Sequence, residues 1–223
     1  MDPVDLVIFD NDGVLVDSEL MSNRVLADLL TEVGCPTTLE ESIEQFMGGT
    51  LGAVRLLVRS RDGMELPGDF ERVYQERLFL AFERDLHPVP GVRDVLSRLT
   101  VPYCVASSGS VERIVRALTK TGLLPFFGDR IFSADAVAHG KPAPDVFLYA
   151  AESMGVAPAR SVVVEDSPNG VRAARSAGMR VLGYTALTPR DRLQGADALF
   201  EDMGELPALL ESLQGKPPSR VDG

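Results

Sequence analysis

The short apolar run at residues 4–9 stops at Asp10-Asn11-Asp12-Gly13, and no second strand-like run follows until residue 103. A β-branched run that closes in a polar turn reads as a parallel strand buried on both faces. Such a strand needs hydrogen-bonding neighbours, and the segment between contains none. From Ser18 the period becomes helical, with Ser22, Val25, Leu26, Leu29, Leu30 and Val33 on one stripe before Gly34, and with Ser18 as the expected N-cap. Further helices are predicted at 39–47, 50–60 and 68–84, separated by Gly48-Gly49, Asp62-Gly63 and Pro67-Gly68.

After His87-Pro88-Val89-Pro90-Gly91, which reads as a hinge, strands predicted at 103–107, 130–132, 161–165 and 180–184 alternate with helices near 110–120, 144–154 and 168–178, and a last helix lies near 204–214. This alternation specifies an α/β fold, a doubly wound parallel sheet. The first strand must join that sheet, so the chain is expected to form a core domain from 1–17 and 88–214, with a small α-helical cap domain, 18–87, inserted. The tail 215–223 is too poor in apolar residues to pack and is expected to be disordered.

Lys and Arg number 22 against 33 Asp and Glu, a net charge of −11, which argues against a broad electrostatic grip on nucleic acid or an anionic membrane. The two cysteines, Cys35 and Cys104, match no CxxC pattern and read as buried free thiols. No apolar run approaches the ~20 residues of a bilayer span, and the acidic N-terminus runs straight into a strand. A cytoplasmic protein is the expectation.

In an open α/β sheet, ligands bind beyond the carboxyl ends of the strands. Those ends carry Asp10 and Asp12, then Ser107-Ser108-Gly109, then Glu165-Asp166, with Lys141-Pro142 in the loop after the third strand. Carboxylates converging there repel one another unless a cation binds, and an all-oxygen ligand set points to a hard ion such as Mg²⁺. Ser107, the neighbouring backbone N–H groups and Lys141 suit a phosphoryl group. Two aspartates separated by one residue divide the labour: Asp10 at the strand end as nucleophile, Asp12 on the turn as acid and then base. A lone DxD is a turn or a helix cap as readily as a site; four such elements at successive strand ends are far more specific.

Phe9-Asp10-Asn11-Asp12-Gly13-Val14-Leu15-Val16-Asp17-Ser18-Glu19, Val105-Ala106-Ser107-Ser108-Gly109, Gly140-Lys141-Pro142-Ala143-Pro144 and Val164-Glu165-Asp166-Ser167-Pro168-Asn169-Gly170 resemble, in order, the four motifs of the haloacid dehalogenase superfamily. The chain is most similar to the branch of sugar-phosphate phosphatases and β-phosphoglucomutase. The resemblance implies a Rossmann-like core and an aspartyl-phosphate mechanism with Asp10 as nucleophile and Asp12 as acid/base. It also implies Ser107, Ser108 and Lys141 at the phosphate, and Mg²⁺ held by Asp10, the Asp12 carbonyl and Asp166, with Glu165 assisting directly or through water.

The presence of Asp12 argues against dehalogenation, and the absence of a lysine between Asp17 and Pro88 argues against Schiff-base phosphonatase chemistry. The β-phosphoglucomutase pattern has cationic or imidazole groups where this chain has Ser22, Met47 and Leu51, which makes a mutase the second choice. Substrate contacts from the cap are expected near Ser22 and the Gly48-Gly49-Thr50 turn. Arg55 and Arg59 share a helical face, and Arg55 is a candidate for a second anionic group, although a solvated face is the plainer reading. His87 and His139 read as loop histidines. The expected activity is a Mg²⁺-dependent phosphomonoesterase acting on a small phosphorylated sugar, polyol or sugar acid. A phospho-accepting receiver-type module is the alternative of another class, and it has no use for the inserted helices.

Overall fold

The computed structural model describes residues 3–47 and 49–213; Gly48 and the tail 215–223, and with them the expectations placed there, lie outside the described residues. Six strands, β1 (Leu6–Phe9), β2 (Tyr103–Ser107), β3 (Ile131–Ser133), β4 (Ser161–Glu165), β5 (Arg180–Tyr184) and β6 (Ala198–Phe200), form one sheet in the order β3-β2-β1-β4-β5-β6. Every pairing is parallel. The first strand takes the centre, with Val7 opposite Tyr103 on one side and Val162 on the other.

The face alternation of a strand splits β1 between two layers. Val7 and Phe9 pack with Val92 and Val95 of α5 (Val92–Arg98), Ile114 and Leu118 of α6 (Val111–Lys120) and Leu206 of α10 (Leu206–Leu213). Leu6 and Ile8 pack with Val146 and Phe147 of α8 (Asp145–Ser153) and Val171 of α9 (Pro168–Ser176). All four β1 residues are fully buried, each such side chain contributing roughly 1.5–3 kcal/mol.

Between β1 and α5 the chain makes four helices, α1 (Glu19–Glu32), α2 (Leu39–Phe46), α3 (Leu51–Asp62) and α4 (Phe70–Asp85). Their apolar faces, including Leu26, Leu30, Phe46, Val58, Leu78 and Phe82, bury against one another. The two crossings into this insertion run side by side: Asp17 N donates to the His87 carbonyl at 3.0 Å and Val89 N to the Leu15 carbonyl at 3.0 Å. The expected hinge at Pro88 and Pro90 is therefore a paired double crossing.

Three elements escape the periodicity reading: α5, α7 (Leu124–Phe127) and β6. Each is short, and β6 is a three-residue edge strand whose existence depends on its neighbour β5. The first strand begins at Leu6 and the third is displaced by one residue, to 131–133. Ser18 does not cap α1: its backbone is already helical and no side-chain cap bond forms. Its hydroxyl is spent on Asp12 instead, at 2.6 Å.

Candidate active site

Strand order reverses beside β1, where the chain leaves to β2 on one side and β4 lies on the other, and the crevice at that point faces the insertion. It holds a cavity of about 300 Å³, the size of a small-metabolite site. Asp10 follows β1, Glu165 ends β4 and Asp166 comes next, so adjacent parallel strands deliver all three carboxylates to one spot. One oxygen from each lies within 4.8 Å of the others, and all three residues are buried.

Glycine makes this convergence possible at two places. Gly13 turns the chain after Asp12 with φ of 78°, and a Cβ there would meet Asp166 Oδ2 at 2.0 Å. At Gly170 in α9 a Cβ would lie 1.7 Å from Glu165 Oε1.

Lys141 Nζ donates to Asp10 Oδ1 at 2.6 Å and to Glu165 Oε1 at 2.7 Å, and lies 4.6 Å from the centre of the Phe147 ring. Glu165 Oε2 accepts from Ser167 N at 2.7 Å, so both Glu165 oxygens have protein partners. Burial pushes Asp10 up to about 8; Lys141 opposes the shift, and Glu165 and Asp12 add to it. Burial, and then Glu19 and Glu165, raise Asp166 well above the usual carboxylate range. Burial works against the Lys141 ammonium, yet Asp10 and Glu165 hold its pKa above that of an ordinary lysine. An acidic all-oxygen pocket that resists ionisation until a cation arrives fits a hard divalent metal.

Asp12 points elsewhere. Its Oδ1 accepts from Ser18 Oγ at 2.6 Å and from Arg113 Nη2 at 2.6 Å; its Oδ2 has Asn11 Nδ2 at 3.3 Å and Ser107 Oγ at 3.5 Å. Burial disfavours its charge, but Arg113 and the bonds from Ser18 and Asn11 hold it below the usual range. Two carboxylates separated by one residue thus have opposite tendencies in the metal-free site, Asp10 toward its proton and Asp12 toward its charge.

Ser107 is buried and its Oγ accepts from Gly109 N at 3.0 Å. Ser108 is exposed at the cavity wall, and Ser110 caps α6 by accepting from Arg113 N. Of the expected cap contacts, Ser22, Gly49 and Thr50 line the cavity. Arg55 does not: its guanidinium donates to the Leu66 and Pro67 carbonyls at 3.1 and 3.0 Å, fastening the loop before α4. Arg59 pairs with Glu65 on the surface. His87 and His139 are exposed beside Asp85 and Asp145.

Three site residues were missed. Glu19, within the first motif, is buried and pushed up to about 7 by burial and then by Asp12. It shares the buried stripe of Ser22, Asn23 and Leu26, so its helical spacing was a usable signal. Tyr74 of α4 reaches the same cavity. Arg113 occupies the first turn of α6 beside the buried Ile114 and Ala117, where the helix dipole disfavours a cation, and its partner is the buried Asp12 carboxylate.

Residues 4–178 match the haloacid dehalogenase-like hydrolases. The chain is 30% identical over 212 residues to the 6-phosphogluconate phosphatase of Escherichia coli, covering 94% of this chain and 96% of that protein. It is 32% identical over 174 residues to the fructose-1-phosphate phosphatase YqaB of the same organism, covering 78% and 92%. A solved haloacid dehalogenase-like protein of unknown function from Agrobacterium tumefaciens superposes with a TM-score of 0.84 at 42% identity, covering 94% and 99%. Fold, motif order and these likenesses agree, and they leave no place for a receiver-type module: the chain belongs to the haloacid dehalogenase-like hydrolases.

Proposed function

We propose that the protein is a Mg²⁺-dependent phosphomonoesterase that acts on a small phosphorylated sugar, polyol or sugar acid through an aspartyl phosphate on Asp10. The observation that carries this reading is the division between Asp10, set among Lys141, Glu165 and Asp166, and Asp12, held apart by Ser18 and Arg113. The phosphatase relatives support the substrate class.

Asp10 and Asp166 would hold the metal, with the Asp12 carbonyl. Glu165, whose oxygens already bind Lys141 and Ser167 N, acts mainly by holding Lys141 in place. When bound, the cation lowers the charge of the carboxylate cluster and of the phosphoryl oxygens. Ser107, the N–H groups of Ser108 and Gly109, and Lys141 receive the phosphoryl group.

Asp10 attacks phosphorus as the ester P–O bond breaks, and Asp12 gives a proton to the departing alcohol oxygen. Asp12 then takes a proton from the water that attacks the aspartyl phosphate, which releases inorganic phosphate and restores Asp10. Residues 18–87 serve as the cap that closes over the cavity and excludes bulk water. The buried free thiols of Cys35 and Cys104 suit a reducing cytoplasm.

The deciding experiment is Asp10→Asn assayed for phosphate release over phosphorylated sugars, polyols and sugar acids with Mg²⁺. We expect turnover to be abolished with the melting temperature preserved, since an amide is nearly isosteric but a poor nucleophile. Comparable activity in the variant would remove Asp10 from the chemistry.

A further inference from the structure

We propose that Arg113 is a positioning residue for Asp12: with Ser18 it occupies Oδ1 and so presents Oδ2 to the ester oxygen, while its bond to Ser22 ties that orientation to the helical insertion. This rests on the reading of Asp12 as acid/base. One nitrogen makes both contacts, Nη2 donating to Asp12 Oδ1 at 2.6 Å and to Ser22 Oγ at 3.2 Å. Ser18 reaches the same Oδ1 at 2.6 Å. Both strong bonds therefore fall on one oxygen. Oδ2 is left with contacts of 3.3 Å to Asn11 and 3.5 Å to Ser107, on the side where the phosphoryl group is received.

Stability alone does not account for this arginine. It is a cation in the first turn of α6, against the helix dipole, and its Nε is buried with no hydrogen-bond partner, which is unfavourable in itself. Nor is it needed to dock α4 on α6. Arg116 stacks on Phe79 at 4.6 Å and Lys120 Nζ donates to the Glu83 carbonyl, whereas Arg113 stands 5.9 Å from the Phe82 ring. What Arg113 supplies is one nitrogen, Nη2, that bridges a core carboxylate and a hydroxyl of α1. A carboxylate fixed through one oxygen keeps the other aimed, and small errors of aim at a proton-transfer site are expensive in rate.

Because Oδ2 delivers the proton when the ester bond breaks, its aim matters for an alkoxide leaving group and little for p-nitrophenolate, which leaves without one. The test compares Arg113→Met, Arg113→Lys and Asp12→Asn by single-turnover rapid quench on a hexose phosphate and by the burst of p-nitrophenol from p-nitrophenyl phosphate. For Arg113→Met we expect alcohol release to slow about 10²-fold with KM and the p-nitrophenol burst each changed less than about threefold. Arg113→Lys should recover part of the loss, as a point charge reaching the same oxygen.

Equal losses on both substrates, or loss of the burst in both Arg113 variants, would mean a structural prop and overturn the proposal; no loss on either would overturn it as well. If Asp12→Asn separates the two leaving groups and Arg113→Met does not, positioning by Arg113 fails while the acid/base reading stands. If Asp12→Asn itself does not separate them, it is the acid/base reading that fails.

Discussion

Lys141 Nζ sits 2.6 Å from Asp10 Oδ1, a contact that spans 131 positions of sequence and puts the ammonium between the expected nucleophile and Glu165. The lysine is nearly inaccessible, with 4% of its side chain exposed, so its charge is balanced almost wholly by these carboxylates. Lys141→Met leaves them buried without a counter-ion, a change that typically costs about 3–5 kcal/mol. We expect a marked fall in the melting temperature of the metal-free protein, partial recovery with Mg²⁺, and loss of turnover. Thermal melts with and without Mg²⁺ check this; an unchanged metal-free melt would show that Lys141 is not the cluster's counter-ion.

Gly170→Ala offers a geometric check. In an exposed helix this exchange stabilises by about 1 kcal/mol. In α9 the added Cβ would fall 1.7 Å from Glu165 Oε1, so Glu165 must move and Lys141 loses a partner. The expected outcome is a lower melting temperature and at least about a tenfold fall in kcat. A stabilised, fully active variant would contradict this packing of Gly170 against Glu165.

The pH dependence of the metal-free protein follows from the raised carboxylates. Burial lifts Asp10 to about 8 and Glu19 to about 7, against ordinary values of about 4 in the unfolded chain. Over that interval the folded chain holds protons that the unfolded chain has released, so these groups lower stability as pH rises from about 4 to about 8. Asp12 acts in the opposite sense. Burial opposes its charge but Arg113 holds it below the usual range, so its contribution is present above the unfolded value and lost as pH falls through the folded one.

Melting temperature without metal should therefore decline between pH 5 and pH 8, and Mg²⁺, which binds the deprotonated cluster, should raise it more at pH 8 than at pH 6. Chelator should abolish both the rise and the activity. Calorimetry across pH makes the comparison, and a Mg²⁺ effect independent of pH would separate the metal from this cluster.

Hydrolysis and phosphoryl migration are distinguished by what faces the aspartyl phosphate. Among the described residues lining the cavity, the cations are Lys141 and Arg113, each already within 2.7 Å of a carboxylate. Neither is free to anchor a second phosphate. With a sugar phosphate, phosphorus NMR should show inorganic phosphate as the main product. An isomeric sugar phosphate accumulating without it would reverse this assignment and implicate Arg113 as an anchor.

What the chain's own pattern determined was the frame. An apolar run ending in Asp10-Asn11-Asp12-Gly13, with its partners beyond residue 100, requires a central strand and a helical insertion, and β1 lies at the centre of the sheet. Residues at strand ends were legible for the same reason: Asp10, Ser107, Glu165 and Asp166 are placed by short-range grammar, and parallel pairing brings those ends together whatever the loops do. The tertiary structure alone decided which distant side chains answer them. Ser18, read as a helix cap, donates to Asp12; Arg55, a candidate for a second anionic group with a solvated face as the plainer reading, holds a loop; Arg113, on a helix remote in sequence, reaches Asp12 and Ser22. Long, flexible or hydroxyl-bearing side chains have several local partners of similar strength. Which one they take depends on the charge that folding buries within reach, and no spacing along the chain encodes that distance.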